Sequence, residues 1–110
     1  MLFIVETMNH RIQKYDLEGA YIGSWGSEGS DISQFKYPWG ITTGNNADIY
    51  IADWGNDRIE RYSIEGEYIS SFYGDDSEIP LNRPAGIAVS ADGNMSVSYT
   101  HLTLPTILLV

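Results

Sequence analysis

The stretch NHRIQKY at residues 9–15 recurs as NDRIERY at residues 56–62, 47 positions further along the 110-residue chain. The residues before it recur as well, because LFIVE at residues 2–6 corresponds to IYIAD at residues 49–53. A repeat of this length indicates an architecture built from consecutive copies of one structural unit, each packed against the next. The chain has room for two such units and part of a third.

Short strands separated by turns account for both copies. Runs of β-branched and aromatic residues are bounded by Gly, Asp, Asn and Pro, a pattern typical of an antiparallel all-β meander. No helix is predicted. We predict strands over residues 2–6, 11–15, 20–25, 40–43, 48–52, 58–62, 67–72 and 86–90, and a further strand from residue 94.

Local details of the repeat predict local geometry. Gly19 and Gly66 close equivalent hairpin loops, where glycine supplies the left-handed backbone. Ile12 and Tyr15 lie three positions apart, which breaks strand alternation, so a bulge or a strand end is predicted between them and at the same place in the second copy. The continuous apolar run at residues 49–52 predicts a strand that is covered on both faces, as in a sheet stacked between two others.

Composition limits the classes of partner. The net charge is −9 and the six Lys and Arg residues do not cluster, which argues against nucleic acid as a ligand. There are no cysteines, so disulfides and thiolate metal ligands are excluded. No apolar run reaches the length of a membrane span, and residues 1–6 lack the features of a signal peptide. The compartment stays open, and a secreted or cell-surface location is compatible with a longer protein.

The sequence after residue 96 departs from the repeat. Residues 97–110 contain no Asp, Glu, Lys or Arg, although the chain has 15 acidic and six basic residues before them. One interpretation is a genuine apolar C-terminal strand. We favour a non-native or disordered tail, because the string resembles translated sequencing-adapter read-through at the ends of predicted metagenomic proteins. The prediction is a repeat domain over residues 1–96, a tail over residues 97–110, and a chain that is a fragment of a longer protein.

The motifs resemble those of the NHL-repeat family. NHRIQKYD at residues 9–16 is similar to the family signature, SQFKYPWGI at residues 33–41 to the start of its next repeat, and DIYIAD at residues 48–53 to its second strand. DWG at residues 53–55 is also similar to the YWTD propellers of lipoprotein receptors, but the HRIQ and Pro-x-Gly-Ile motifs favour NHL. The resemblance covers residues 2 to about 95.

This resemblance implies a β-propeller, commonly six-bladed, with four antiparallel strands in each blade. On this chain it implies about two blades of a larger ring. Residues 2–25 would supply the last three strands of one blade, residues 38–72 a complete blade, and residues 84–95 the start of a third. The remaining blades of the full-length chain would then be its first binding partners.

Residues that recur in both copies are predicted to have structural duties. The side chains at the start of each third strand would form hydrogen bonds to the backbone and local ion pairs. Glu6 and Asp53, at equivalent strand ends, could offer carboxylates to one rim, but capping of the following turn is the favoured interpretation. The predicted structural positions are Asn9, Arg11, Asn56, Arg58, Gly19 and Gly66.

Residues that differ between the copies are the candidates for specificity. Trp39 and Trp54 correspond to Ala85 and Thr7, so the repeat does not require an indole at either place. Aromatic residues are enriched at binding interfaces, although packing against the adjacent blade is an open alternative. The predicted binding residues are His10, Tyr37, Trp39, Trp54 and Asp57.

No catalytic set is recognisable. The chain has no phosphate loop, nucleophile elbow or metalloprotease motif, and His10 has no His or Cys partner in the repeat region. The favoured prediction is a non-catalytic module without a cofactor, which binds a protein or small ligand through its loop-rich rim. The alternative is a fragment of a propeller enzyme, a lyase or lactone hydrolase with a metal in the central channel. RNA binding is disfavoured by the charge.

Overall fold

The computed structural model describes residues 1–44, 46–75 and 79–99. Among these residues there are eleven strands and two single 3-10 turns, and no α-helix. The 3-10 turns cover Thr7–Asn9 and Trp54–Asn56. The strands are β1 (Leu2–Glu6), β2 (Arg11–Tyr15), β3 (Tyr21–Trp25), β4 (Pro38–Thr43), β5 (Ile49–Asp53), β6 (Arg58–Tyr62), β7 (Tyr68–Phe72), β8 (Gly74–Asp75), β9 (Ile79–Pro80), β10 (Pro84–Val89) and β11 (Met95–Tyr99).

The long strands form three antiparallel meanders in chain order. The first blade is the three-stranded sheet β1-β2-β3, the second blade is the four-stranded sheet β4-β5-β6-β7, and the third blade is the pair β10-β11. The predicted all-β fold and the division into three, four and two strands are therefore confirmed. The ladder β8-β9 and the two 3-10 turns were not predicted, because elements of two or three residues leave no periodic signal in a sequence.

The predicted bulges and turns are present. Pairing of β2 with β3 shifts register between Lys14 and Tyr15, and pairing of β6 with β7 shifts between Arg61 and Tyr62. An inserted residue of this kind lets two apolar side chains three positions apart face the same side of a sheet. Gly19 and Gly66 adopt φ values of 91° and 93°, and each N–H closes its hairpin turn.

The hydrophobic core lies between the blades. One cluster joins the first and second blades, and another joins the second and third, so burial of apolar surface holds adjacent blades together. Strand β5 contributes to both clusters, which confirms that its continuous apolar run is covered on both faces. The buried members are Ile12, Phe35, Ile49, Ile51 and Tyr62 in the first cluster, and Ala52, Ile59, Leu81, Val97 and Tyr99 in the second.

The repeated Pro-x-Gly motif has a packing reason at Gly40. A Cβ placed at Gly40 in β4 would overlap the carbonyl oxygen of Ala85 in β10. The first strands of neighbouring blades therefore approach with their backbones in direct contact, which only glycine permits. Glycine at this place thus fixes how closely the second and third blades pack.

The predicted boundary between residues 96 and 97 falls inside β11. Val97 pairs with Ile87 and is 2% exposed, and Tyr99 lies in the same apolar cluster. The rest of the predicted tail, residues 100–110, lies outside the described residues. The proposal that residues 97–110 are not native stays a prediction.

Candidate ligand-binding face

The two ends of each blade carry different connections. The register of the second blade pairs Pro38 with Asp53 and Asp53 with Arg58, so β4 and β6 begin where β5 ends. This end carries the 3-10 turns and the long connections at residues 26–37 and 73–83, whereas the opposite end has short hairpins. We refer to it as the long-loop face.

A run of aromatic side chains lies on the long-loop face. The ring centres of His10 and Tyr37 are 4.6 Å apart, those of Tyr37 and Trp54 are 6.4 Å apart, and those of Trp54 and Trp39 are 6.1 Å apart. Trp39 is 51% exposed and Tyr37 is 38% exposed. We call these four residues, together with Arg83, the aromatic patch. Four of the five predicted binding residues are therefore contiguous in space.

Arg83 is the member of the patch that sequence reasoning missed. Its guanidinium carbon lies 4.9 Å from the ring centre of Trp54, a cation–π contact. Arg83 directly precedes Pro84, just as Tyr37 directly precedes Pro38. Aligning the two proline positions would have marked Arg83 as the counterpart of a predicted binding residue.

Asp57, the fifth predicted binding residue, joins the patch through a hydrogen bond that has a counterpart in the other copy. The Arg83 backbone N–H donates to Asp57 Oδ1 at 2.8 Å, and the Tyr37 N–H donates to His10 Nδ1 at 3.0 Å. All four residues have left-handed backbones, with φ between 52° and 55°. His10 and Asp57 thus connect one blade to the start of the next, a structural duty that differs from the predicted role in specificity.

This geometry assigns the tautomer of His10. Because Nδ1 accepts the Tyr37 N–H, the neutral ring carries its hydrogen on Nε2. Nε2 lies 4.0 Å from a carboxylate oxygen of Glu28, which is 65% exposed. His10 is the only histidine among the described residues, and besides the Tyr37 ring its side chain contacts a backbone amide and an acid.

The recurring residues of the second blade form a buried cluster at the same face. Asp53, Asn56 and Arg58, which we call the second-blade triad, are joined by donation from Asn56 Nδ2 and Arg58 Nε to Asp53 Oδ2, at 2.8 and 3.0 Å. Arg58 also donates to three backbone carbonyls of the connection at residues 26–37. These carbonyls belong to Ser30, Asp31 and Gln34, at 2.9, 3.2 and 2.7 Å.

The equivalent residues of the first blade make fewer contacts. Glu6, Asn9 and Arg11, the first-blade triad, have the same internal pattern, with Asn9 and Arg11 both donating to the Glu6 carboxylate. The side chains of Arg11 and Glu6 are 41% and 23% exposed, against 3% and 0% for Arg58 and Asp53. Neither acid forms the predicted backbone cap of its 3-10 turn, since each instead holds the asparagine that ends the turn.

The acids of the two triads, Glu6 and Asp53, have shifted pKa values. Hydrogen bonding from Arg11 lowers the pKa of Glu6. Burial raises the pKa of Asp53, although Asn56, the Lys36 N–H and Arg58 act in the opposite direction. Asp53 is buried and engaged by donors within the fold, whereas Glu6 pairs with Arg11 and stays 23% exposed.

Glu60 is a second buried acid in the second blade. It is 0% exposed, accepts the Tyr62 hydroxyl at 3.0 Å, and lies 3.4 Å from Arg58 Nη2. Burial raises the pKa of Glu60 to about 7 despite the nearby guanidinium. In the first blade the neutral Gln13 takes its place and accepts the Tyr15 hydroxyl at 2.7 Å. Glu60 lies in the core, so it is not a contact residue of the aromatic patch.

The described part of the chain offers neither a metal cluster nor a membrane-spanning helix. Residues 1–44, 46–75 and 79–99 contain no group of three or more His, Cys, Asp or Glu side chains placed to share a metal ion. Within the same ranges, no helix has the length and apolar character that crossing a bilayer requires.

Comparison with known proteins identifies the fold. No protein-family model matches the chain, and no curated protein matches its sequence. Among solved structures, a catalytically inactive virginiamycin B lyase from Staphylococcus aureus with quinupristin is similar over 86% of this chain, with a TM-score of 0.63 and 23% identity. A streptogramin B lyase structure is similar over 96% of the chain, with a TM-score of 0.62 and 22% identity.

These similarities and the three meanders show that the chain is an all-β, partial β-propeller. It spans 29% and 35% of the two lyase chains. At this level of identity the likeness concerns the fold alone. The finer assignment to the NHL-repeat family stays a prediction.

Proposed function

We propose that this propeller chain is a non-catalytic binding module that contacts its ligand, a protein or a small molecule, through the aromatic patch. The observation that carries the proposal is the contiguity of Tyr37, Trp39 and Trp54 on the long-loop face, with Trp39 half exposed. Tryptophan, tyrosine and arginine are the residues most enriched among those that dominate binding energy.

Packing does not explain why an indole occupies position 39. The counterpart of Trp39 is Ala85, which is 3% exposed and fits the same place in the third blade. An exposed indole leaves apolar surface in water, which is unfavourable unless a ligand covers it. Trp54 is half-buried, and its counterpart in the first blade is Thr7, so the repeat does not require an indole there either.

The patch is also organised in advance. Trp54 contacts Tyr37, Trp39 and Arg83 at once, and hydrogen bonds to His10 and Asp57 fix the backbones of Tyr37 and Arg83. Side chains that are already held in place lose little entropy when a ligand binds. This rigidity supports recognition by a preformed surface.

Fluorine NMR of the intact protein labelled with 5-fluorotryptophan tests the proposal. The signals of Trp25, Trp39 and Trp54 are assigned with single Trp-to-Phe variants, and the protein is titrated with a panel of neutral and acidic oligosaccharides and with quinupristin. At least one compound should shift the Trp39 and Trp54 signals and leave that of Trp25, which packs between blades, unchanged. Trp39→Ala should remove this binding, and Tyr21→Ala, an exposed aromatic residue outside the patch, should preserve it.

Binding that shifts only Trp25, or that survives both Trp39→Ala and Trp54→Ala, would locate the ligand elsewhere and contradict the proposal. A thermal melt of each variant measures its stability, so a loss of binding can be distinguished from a loss of folding.

A second candidate function is catalysis by the complete ring, with a metal in the central channel, which is the alternative implied by the resemblance. It is favoured by one observation, that both similar structures are lyases. Quinupristin incubated with the intact protein, with and without added divalent metal, would give a new chromatographic product under this candidate. Unchanged quinupristin beside an active reference lyase would count against activity on that compound.

A further inference from the structure

We propose that the free edge of β1 in the first blade binds an added antiparallel strand of a partner protein, with the sequence Pro-x-Gly-Ile. The inference goes beyond the proposed function, because it uses a sheet edge and none of the side chains of the aromatic patch. It defines the chemistry of the added strand and its register.

The edge of β1 differs from the equivalent edge in the other two blades. Strand β5 pairs with β4 on one edge and with β6 on the other, and β11 pairs with β10. Among the described residues, β1 pairs with β2 alone, so the edge that β4 covers in the second blade has no partner in the first. The free edge of β3 is the ordinary end of a blade, because β7 has it too. The molecule itself therefore shows, twice, what kind of strand covers the edge of β1.

The side chains of β1 leave apolar surface exposed on one side. Phe3 packs into the cluster between the first and second blades. Leu2 and Ile4 alternate with it and lie on the opposite face, where they are 49% and 40% exposed. Their counterparts in β5, Ile49 and Ile51, are fully buried. Pairing with an added strand here would satisfy backbone groups of β1 and begin to remove this apolar surface from water.

The two covered edges agree on a register. Ile41 of β4 lies opposite Ile51 of β5, and Ile87 of β10 lies opposite Val97 of β11. Each isoleucine follows the glycine of a Pro-x-Gly motif. The 47-residue repeat transfers this register to the first blade, where the isoleucine of the added strand would lie opposite Ile4.

The glycine of the motif has a separate packing reason. A Cβ at Gly40 would overlap the carbonyl oxygen of Ala85, because β4 and β10 approach with their backbones in contact. A strand added to β1 would have β4 as its equivalent neighbour, with Trp39 in the place of Ala85. We therefore expect the added strand to require glycine where its backbone meets that of Trp39, so an extended peptide without this glycine fits poorly.

Fluorescence anisotropy of the 110-residue chain with a labelled peptide tests the inference. The probe is acetyl-NRPAGIAV-amide, the sequence of residues 82–89, which contains the motif and no aromatic residue that could stack on the aromatic patch. The same peptide with Gly86→Ala should bind about tenfold more weakly, because the added Cβ meets the backbone of β4.

Backbone methylation separates strand pairing from unspecific contact. Successive N–H groups of an antiparallel strand point alternately toward the partner strand and away from it. Of two peptides N-methylated at Ile87 or at Ala88, one should lose about tenfold in affinity and the other should bind like the unmodified probe. On the protein, Ile4→Ala should weaken binding about two- to fivefold. Ile22→Ala, a similarly exposed isoleucine in β3, should leave it unchanged.

Amide hydrogen exchange locates the bound peptide. Exchange should slow in β1 and stay unchanged in β3, the other edge strand of the first blade. Slowing in β3 alone, or equal affinity of the two methylated peptides, would refute pairing with β1. Equal affinity of the Gly86→Ala peptide would refute the required sequence. Absence of binding at millimolar peptide would overturn the inference, and sedimentation of the chain as a dimer would then identify a second copy as the occupant of the edge.

Discussion

The first-blade and second-blade triads share a sequence pattern but differ in their surroundings. Each has an acid, an asparagine and an arginine at equivalent places, and each acid holds the other two side chains. The guanidinium of Arg58 is covered by the connection at residues 26–37 and donates to three of its carbonyls, whereas Arg11 stays 41% exposed.

The difference shows that a repeated motif acquires its energetic importance from the segment that lies over it. A solvated ion pair contributes little to stability, whereas removing one partner of a buried pair leaves a charge without compensation. The two triads therefore offer a matched pair within one chain. Variants at equivalent positions should separate the effect of burial from that of the motif.

The largest effect is expected for Arg58→Ala. This change leaves Asp53 and Glu60 buried without their guanidinium and releases the connection at residues 26–37, so the free energy of unfolding should fall by about 3–5 kcal/mol. Arg11→Ala is the matched control and should change it far less, because its partner is hydrated. Urea denaturation of the 110-residue chain, in which Arg11 has this exposure, measures both. Equal losses for the two variants would mean that the motif matters and its covering does not.

The next effect concerns Glu60 and its neutral counterpart Gln13. The folded-state pKa of about 7 lies above the ordinary value of 4.5, so the folded protein binds more protons than the unfolded chain between these pH values. Stability contributed by the protonated acid is present below pH 4.5 and is lost as pH rises through 7. Glu60→Gln removes this loss. The free energy of unfolding of the variant, relative to that of the wild type, should therefore rise from pH 4.5 to 8 by on the order of 3 kcal/mol.

Thermal melts across this pH range check the prediction, and Gln13→Glu sharpens it. A carboxylate at the half-buried position 13 keeps more of its hydration, so the pH dependence that it introduces should be weaker than that of Glu60. If the advantage of Glu60→Gln were the same at pH 5 and pH 8, Glu60 would have an ordinary pKa.

The smallest effect concerns the bonds between blades at His10 and Asp57. Asp57→Ala removes the acceptor of the Arg83 N–H and should cost about 1 kcal/mol, since an exposed hydrogen bond contributes only that much. His10→Ala should behave alike, and His10→Asp, which installs the residue of the other copy, should restore the wild-type melting temperature. A loss on His10→Asp as large as on His10→Ala would show that the imidazole ring itself is required.

Much of the fold could be predicted because its determinants are local. The bounds of β1, β2 and β6 coincide with the predicted ranges, and the break in alternation before Tyr15 predicted a real change of register. The first residues of β4 and β10 are Pro38 and Pro84, two positions before the predicted starts. Proline is a poor strand former by propensity, so the prediction began each strand after it. Here it stands at the first residue of each strand, the position in which a sheet tolerates it.

The site was predictable only in part. Variation between copies marked Trp39 and Trp54 as candidate binding residues, since a departure from the repeat is visible in the sequence, and the structure places their rings 6.1 Å apart. Their role in binding stays a prediction. His10 and Asp57 are different residue types at equivalent positions. The comparison of the two copies therefore did not predict that both accept an N–H from the following blade. Arg83 could have been marked by aligning the two proline positions, but its contact with Trp54 spans 29 positions of sequence and leaves no local signal.

The sequence by itself determined the repeat, the number of strands in each blade and the turns, because these depend on side-chain period and on residues such as Gly19 that make a left-handed backbone accessible. The tertiary structure decided which arginine is buried, which acid has a raised pKa and which rings meet on the long-loop face. Those properties depend on the segment or blade that covers each residue. Burial and proximity are set by packing between units. The sequence of a single repeat unit therefore does not predict them.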